Sequence, residues 1–213
     1  YQDKIYGGVF VADVNLSGLT QDQAINKLNQ HIDNLKENGL NFNYKNQRYN
    51  VDFIVVSPDD PDLAFPILTF DTEKMVKQAF AYGRQKSLLN NLLDQLTAIL
   101  EQKEIALAYN INEKELINIL RQRYSYLERP AQNARIEFVK DDRFEILPEK
   151  GGFEIDYQKG LANLRQSINL ISINTINLKD KHSLPEVSQN EANRLRPKIR
   201  EVLQNSPVTL IYD

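Results

Sequence analysis

The stretch Ala134–Glu149, ARIEFVKDDRFEILPE, alternates apolar and polar residues on both sides of Asp141-Asp142. Ile136 and Phe138 lead into the acidic pair, and Phe144 and Ile146 lead out of it. Alternation with a period of two marks a strand with one buried face, and a short polar aspartate pair between two such runs marks a turn. The pattern predicts a β-hairpin, whose two strands run antiparallel.

Working outward, Gly151–Leu170 (GGFEIDYQKGLANLRQSINL) turns through glycines and enters a helix that Asp156 can cap. Ile173–Leu178 (INTINL) reads as a further strand. On the other side, Asn112 and Glu115 form a capping box ahead of the helix ELINILRQRY (Glu115–Tyr124), and EIALAY (Glu104–Tyr109) reads as one short strand. The leucine-rich run Ser87–Leu100 is an amphipathic helix, and Thr72–Gly83 is another, capped by Asp71 and carrying Met75, Val76, Ala79 and Phe80 on one face. Leu40–Val56 alternates around a turn near Asn46-Gln47, a second hairpin. Ile5–Val14 is β-branched and aromatic, a strand interrupted by a glycine pair. Hairpins interleaved with helices, without regular βαβ crossovers, predict an α+β fold with mostly antiparallel sheets and packed amphipathic helices. It is read as two small domains or one bilobed unit.

A phrase near the beginning returns near the end. Thr20 and Gln23 make a capping box before Ile25, Leu28 and Ile32; Ser188 and Glu191 make one before Leu195, Ile199 and Val202. A strand pattern follows each helix, LNFNYKN (Leu40–Asn46) and PVTLIYD (Pro207–Asp213). This favours a repeated unit over two coincident helix starts. The segment SPDDPDLAFP (Ser57–Pro66) is rich in proline and aspartate and reads as a linker. The expected division is 1–68, a strand–helix–hairpin domain; 69–183, an α+β domain; and 184–213, the start of a following repeat.

The chain of 213 residues is 41% hydrophobic and 26% charged, with net charge −3. That balance argues against nucleic acid as the main partner, since phosphate backbones require a concentrated basic face. The densest basic run, RLRPKIR (Arg194–Arg200), is read as a solvated helix face. The absence of cysteine removes thiol nucleophiles, thiolate metal sites and disulfides together. No apolar run approaches the ~20 residues of a membrane span. The two histidines, His31 and His182, have no metal-binding spacing and read as surface residues. Neither a serine elbow nor a phosphate-binding glycine loop is present. The cluster Asp59, Asp60 and Asp62 reads as solvated linker in preference to a calcium cup. No catalytic residue, metal or cofactor is expected.

Three stretches resemble a known family. IYGGVFVADVNLSGLTQDQA (Ile5–Ala24) is similar to the opening of bacterial envelope proteins in which a membrane anchor precedes a strand, a turn and a helix. AFAYGR (Ala79–Arg84) resembles the Gly-Arg phrase that opens the peptidoglycan-binding domain of VanW-type proteins and of certain L,D-transpeptidases. PAQNARIEFVKDDRFEILPEKGGFEIDYQKGLANL (Pro130–Leu164) resembles that domain's second half. A glycine soon after the arginine, typical of the family, is missing from GRQKS. Neither a VanW module nor a cysteine-centred transpeptidase module is evident.

The resemblance implies a non-catalytic cell-wall module of an anchored bacterial envelope protein, outside the cytoplasm and tethered by a preceding membrane anchor. Its implied partner is the glycan strand or the stem peptide of peptidoglycan, with other envelope proteins as further partners. The alternative is a structural spacer or protein-interaction module with no glycan affinity. The expected ligand residues are Tyr82, Arg84, Tyr124, Tyr126 and Arg129. Aromatic rings stack on sugar C–H faces, and guanidinium forks suit the carboxylates of stem peptides. The competing reading is that both tyrosines of RQRYSYLERP pack against the sheet while the arginines stay solvated.

Overall fold

The computed structural model describes residues 3–56, 64–84, 97–98, 101–139, 143–169 and 173–204. The expected leucine-rich helix, the aspartate cluster and the closing strand PVTLIYD fall wholly or largely outside them. In chain order the strands are β1 (Val9–Val11), β2 (Val14–Asn15), β3 (Leu40–Tyr44), β4 (Gln47–Val51), β5 (Ile54–Val56), β6 (Ala64–Pro66) and β7 (Leu68–Phe70). They continue with β8 (Lys103–Ile105), β9 (Tyr109–Ile111), β10 (Arg135–Val139), β11 (Arg143–Leu147), β12 (Gly152–Ile155), β13 (Ile176–Asn177) and β14 (Asp180–Ser183). The helices are α1 (Gln21–Asn38), α2 (Thr72–Ala81), α3 (Glu113–Tyr124), α4 (Tyr157–Asn169), α5 (Gln189–Arg194) and α6 (Arg196–Gln204). Of the strand pairings, only β1–β8 and β13–β3 are parallel among the described residues. The α+β class with mostly antiparallel sheet is the class observed.

The chain forms two compact units. One holds Tyr1–Arg123 and Tyr157–Leu178, the other Tyr124–Asp156 and Lys179–Asp213.

In the first unit, α1 starts as its capping box requires. Thr20 Oγ1 accepts from the Gln23 N–H at 3.3 Å, and Gln23 Oε1 accepts from the Thr20 N–H at 3.0 Å. Ala24, Leu28 and Ile32, four residues apart, are buried on one face. That face joins Val9, Val11, Val14 and Leu16 with Met75, Val76 and Ala79 of α2 in one core, which therefore spans the proline–aspartate segment. The β3–β4 hairpin turns at Lys45-Asn46, both with positive φ, the geometry of a two-residue turn matched to strand twist. EIALAY is not one strand. It is divided between β8, paired with β1, and β9, paired with β7, with Ala106–Ala108 between.

In the second unit, β10 and β11 form the expected hairpin, with Phe138 opposite Phe144 and Ile136 opposite Ile146. β12 pairs with β14, a strand of charged and polar residues; His182 stands opposite Phe153. Gly152 has a steric reason to be glycine. A Cβ there would come within 2.1 Å of the Arg129 carbonyl oxygen, whereas one at Gly151 would meet open space. The Ser188/Glu191 capping box forms too, and the Ser188 backbone N–H, then its hydroxyl, hold the Glu191 carboxyl below the ordinary glutamate range. The following helix stops at Leu195 and restarts as α6, where Pro197 occupies the first turn and its missing N–H costs no hydrogen bond.

Candidate functional site

A groove of about 530 Å³ opens in the first unit where β7, β9 and α2 meet. The pairing Phe70↔Tyr109 sets two half-buried rings side by side, with centres 6.3 Å apart and planes tilted by 54°. Asp71 fixes the junction twice. Its backbone N–H donates to the Ala108 carbonyl at 2.9 Å, and its carboxylate accepts from the Lys74 N–H at 2.9 Å as the N-cap of α2. Because Met75, Val76 and Ala79 face the core, the opposite side of α2 presents Lys74, Lys77 and Gln78 to the exterior. Lys74 and Gln78 line the groove together with Thr69 and Asn110. The lining thus combines two aromatic rings with amide, hydroxyl, ammonium and carboxylate groups. That mixture suits a neutral, hydroxyl- and amide-bearing ligand better than a purely apolar one.

The surface continues along α2. Lys74 and Gln78 also line a second depression, of about 460 Å³, that reaches Ala81 and Tyr82. Tyr82 in turn lines a third, of about 380 Å³, with Glu101, Lys103 and Glu104. The Lys103 ammonium is 5.4 Å from the centre of the Tyr82 ring. Tyr82, expected to bind ligand, therefore lies where two depressions meet.

Arg84 has a different place. Gly83 is buried with φ +71°, which a side chain tolerates poorly, and it turns the chain back over the end of α2. Arg84 follows that turn, and its guanidinium lies 4.0 Å from the Tyr6 ring centre and 4.1 Å from that of Phe80. It donates to the carbonyls of Phe80 and Lys4. The Gly-Arg phrase is thereby a clamp between the N-terminal segment and the last turn of α2.

The other three expected residues lie in the second unit. Tyr124 is 0% exposed and offers no ring face to a ligand, whereas Tyr126 is 64% exposed. Arg129 is exposed, with its backbone bonded both ways to Phe153, at 3.0 and 2.7 Å. The five expected residues do not form one cluster within either unit. Phe70, Lys74, Gln78, Tyr109 and Asn110 escaped sequence reading because their grouping depends on β7 pairing with β9 across the intervening chain.

Residues 66–170 match the family model described as "Putative peptidoglycan binding domain". The match covers just under half of the 213 residues. It contains the whole lining of the first groove, the Gly83-Arg84 turn and the Gly152 contact. The resemblance to a peptidoglycan-binding domain holds over this stretch, while nothing in the match is specific to VanW-type proteins. No curated protein and no solved structure matches the chain. Among the described residues, no group of three or more histidine, aspartate or glutamate side chains is placed to hold a metal ion, and no helix is long and apolar enough to cross a membrane.

Proposed function

We propose that the chain is a non-catalytic wall-binding module that holds the glycan strand of peptidoglycan along the outer face of α2. One observation carries this reading: the groove that joins Phe70 and Tyr109 to Lys74, Gln78 and Asn110 lies entirely within the stretch matching the peptidoglycan-binding family. Sugar rings offer C–H faces to the aromatics, and their hydroxyl and N-acetyl groups offer partners to the amides and the ammonium. The exposed pair Tyr126 and Arg129 is a secondary contact, suited to a stem-peptide carboxylate. Shallow, open sites of this kind bind weakly one at a time and gain retention when many act on one polymer. Such a module belongs in the cell envelope, held near the wall by an anchor that precedes it.

Co-sedimentation with purified sacculi tests this proposal. The wild-type chain is expected to pellet with the wall at moderate salt. Lys74→Ala/Gln78→Ala removes two exposed groove side chains without touching the core. Two lost hydrogen-bonding groups correspond to about 1–3 kcal/mol, and thus to affinity lower by roughly five- to hundredfold. A chain that never pellets is a spacer or a protein-docking module. Undiminished binding by the variant removes the groove from the reading.

A further inference from the structure

The depression beside the Phe70–Tyr109 groove differs from it in chemistry. Its volume is about 460 Å³; it shares Lys74 and Gln78 with the groove and continues over Lys77, Ala81 and the half-buried ring of Tyr82. Lys74 and Lys77 are three residues apart on α2, which makes them neighbours on one face of the helix. Among the described residues, no carboxylate lines this depression, and neither lysine makes an ion pair, not even with Glu73 of the same helix. Asp71, the carboxylate of the adjoining groove, accepts from the Lys74 backbone N–H as the helix cap and makes no ion pair with the Lys74 ammonium.

We infer that this depression receives a short acidic branch of the glycan, so that α2 selects an acid-bearing glycan over a neutral one. The inference rests on the reading of the Phe70–Tyr109 groove as the seat of the sugar rings. Because Lys74 and Gln78 belong to both hollows, a substituent leaving a ring in the first passes directly into the second. A carboxylate has two oxygens, each of which accepts from an ammonium, and such charge-assisted bonds are stronger than those of a neutral hydroxyl. A branch ending in an amine meets two like charges instead. Ala81, the Tyr82 ring and the lysine methylenes supply an apolar floor, which suits a methyl group beside the acid, as in a lactyl or alanyl unit.

Amide-resolved NMR titration of the whole chain tests the inference with two tetrasaccharides. One is the neutral tetramer of N-acetylglucosamine; the other alternates N-acetylglucosamine with N-acetylmuramic acid and has its peptides removed, so that its lactyl carboxylates are free. The acid-bearing sugar is expected to bind about three- to tenfold more tightly, the effect of two exposed ion pairs, and the preference is expected to shrink as salt is raised. Lys77→Gln is expected to cut the preference at least to about half, since one of the two pairs is lost. Lys114→Gln removes the same charge from α3 of the same unit and is expected to keep it. Thermal melts check that each variant is folded. Equal binding of the two sugars, or a preference that survives Lys77→Gln, overturns the inference and leaves the glycan reading standing. Binding of neither sugar refutes the glycan reading, and the inference with it. The same acidic tetrasaccharide with its peptides attached separates the two sources of acid, because its lactyl groups are then amide-linked. A preference lost on attachment assigns the lactyl carboxylate, and one retained assigns the carboxylates of the peptide; either supports an acidic branch.

Discussion

Replacing Arg84 separates a structural clamp from a ligand contact. The side chain donates to two carbonyls, those of Phe80 and Lys4, and stacks between two rings at 4.0 and 4.1 Å. Hydrogen bonds from a charged donor contribute about 1.5–3 kcal/mol each, and a partly exposed cation–π contact about 0.5–1 kcal/mol. The contributions overlap, and water recovers part of the loss at a half-buried site. We therefore expect Arg84→Ala to cost about 2–3 kcal/mol, well below the simple sum. For a unit of this size each kcal/mol lowers the melting temperature by roughly 2–4 °C, so the shift is about 5–10 °C. Arg84→Lys keeps the charge but loses the planar fork, and about half that shift is expected. Thermal unfolding by circular dichroism reads both variants. Sacculus co-sedimentation well below the transition is expected to remain at the wild-type level. If Arg84→Ala melts with the wild type while wall binding collapses, the guanidinium reaches the ligand and the clamp reading is wrong.

Two further outcomes follow from local geometry. Gly152→Ala drives a Cβ into the backbone of Arg129–Ala131, so a loss of about 3 kcal/mol or more is expected in urea unfolding. Gly151→Ala meets open space and is expected to change stability by less than about 0.5 kcal/mol. The folded Glu191 carboxyl titrates below its unfolded value, so its capping contribution is present above the unfolded pKa and fades as pH falls through the folded one. Ser188→Ala keeps the backbone N–H and removes only the hydroxyl, so carboxyl NMR titration is expected to show Glu191 moving part of the way back toward the ordinary glutamate range, and an unchanged titration refutes the hydroxyl's share of the shift.

Much of the local structure was legible because its determinants lie close together in the chain. The capping boxes at Thr20 and Ser188, the cap at Asp71 and the hairpin around Asp141-Asp142 each depend on residues a few positions apart. What escaped depends on distant pairing. β8 is a strand because β1 lies beside it, and the polar run Asp180–Ser183 is a strand because β12 supplies its partner. Hydrophobic alternation cannot mark a strand of charged and polar residues whose side chains are largely exposed. The tyrosine pair shows the same limit. Tyr124 is the last residue of α3 and Tyr126 belongs to the 3₁₀ turn after it, so two positions separate 0% from 64% exposure. Composition located RQRYSYLERP as a place where aromatics and arginines gather. It gave no means of telling which ring the bend turns inward. The place of Arg84 was illegible for a related reason, because its partners Tyr6 and Lys4 lie far away in sequence.

The β12–β14 ladder has a consequence for how the chain can be cut or pulled. Ile155 pairs with Asp180, and the Asp156 N–H donates to the Lys179 carbonyl at 2.8 Å, so residues 157–178 leave and return at one clasp. The loop closed by that clasp carries α4 and β13, which belong to the other unit. A contiguous fragment that contains either unit whole therefore also carries part of the other. A fragment cut at the limits of the family match, 66–170, keeps β12 but discards β14, leaving the clasp half made. Tension applied from the C-terminal side likewise reaches α4 only after that short ladder has opened. A fragment meant to fold must therefore keep β14 together with β12, beyond the limit of the segment that matches the family.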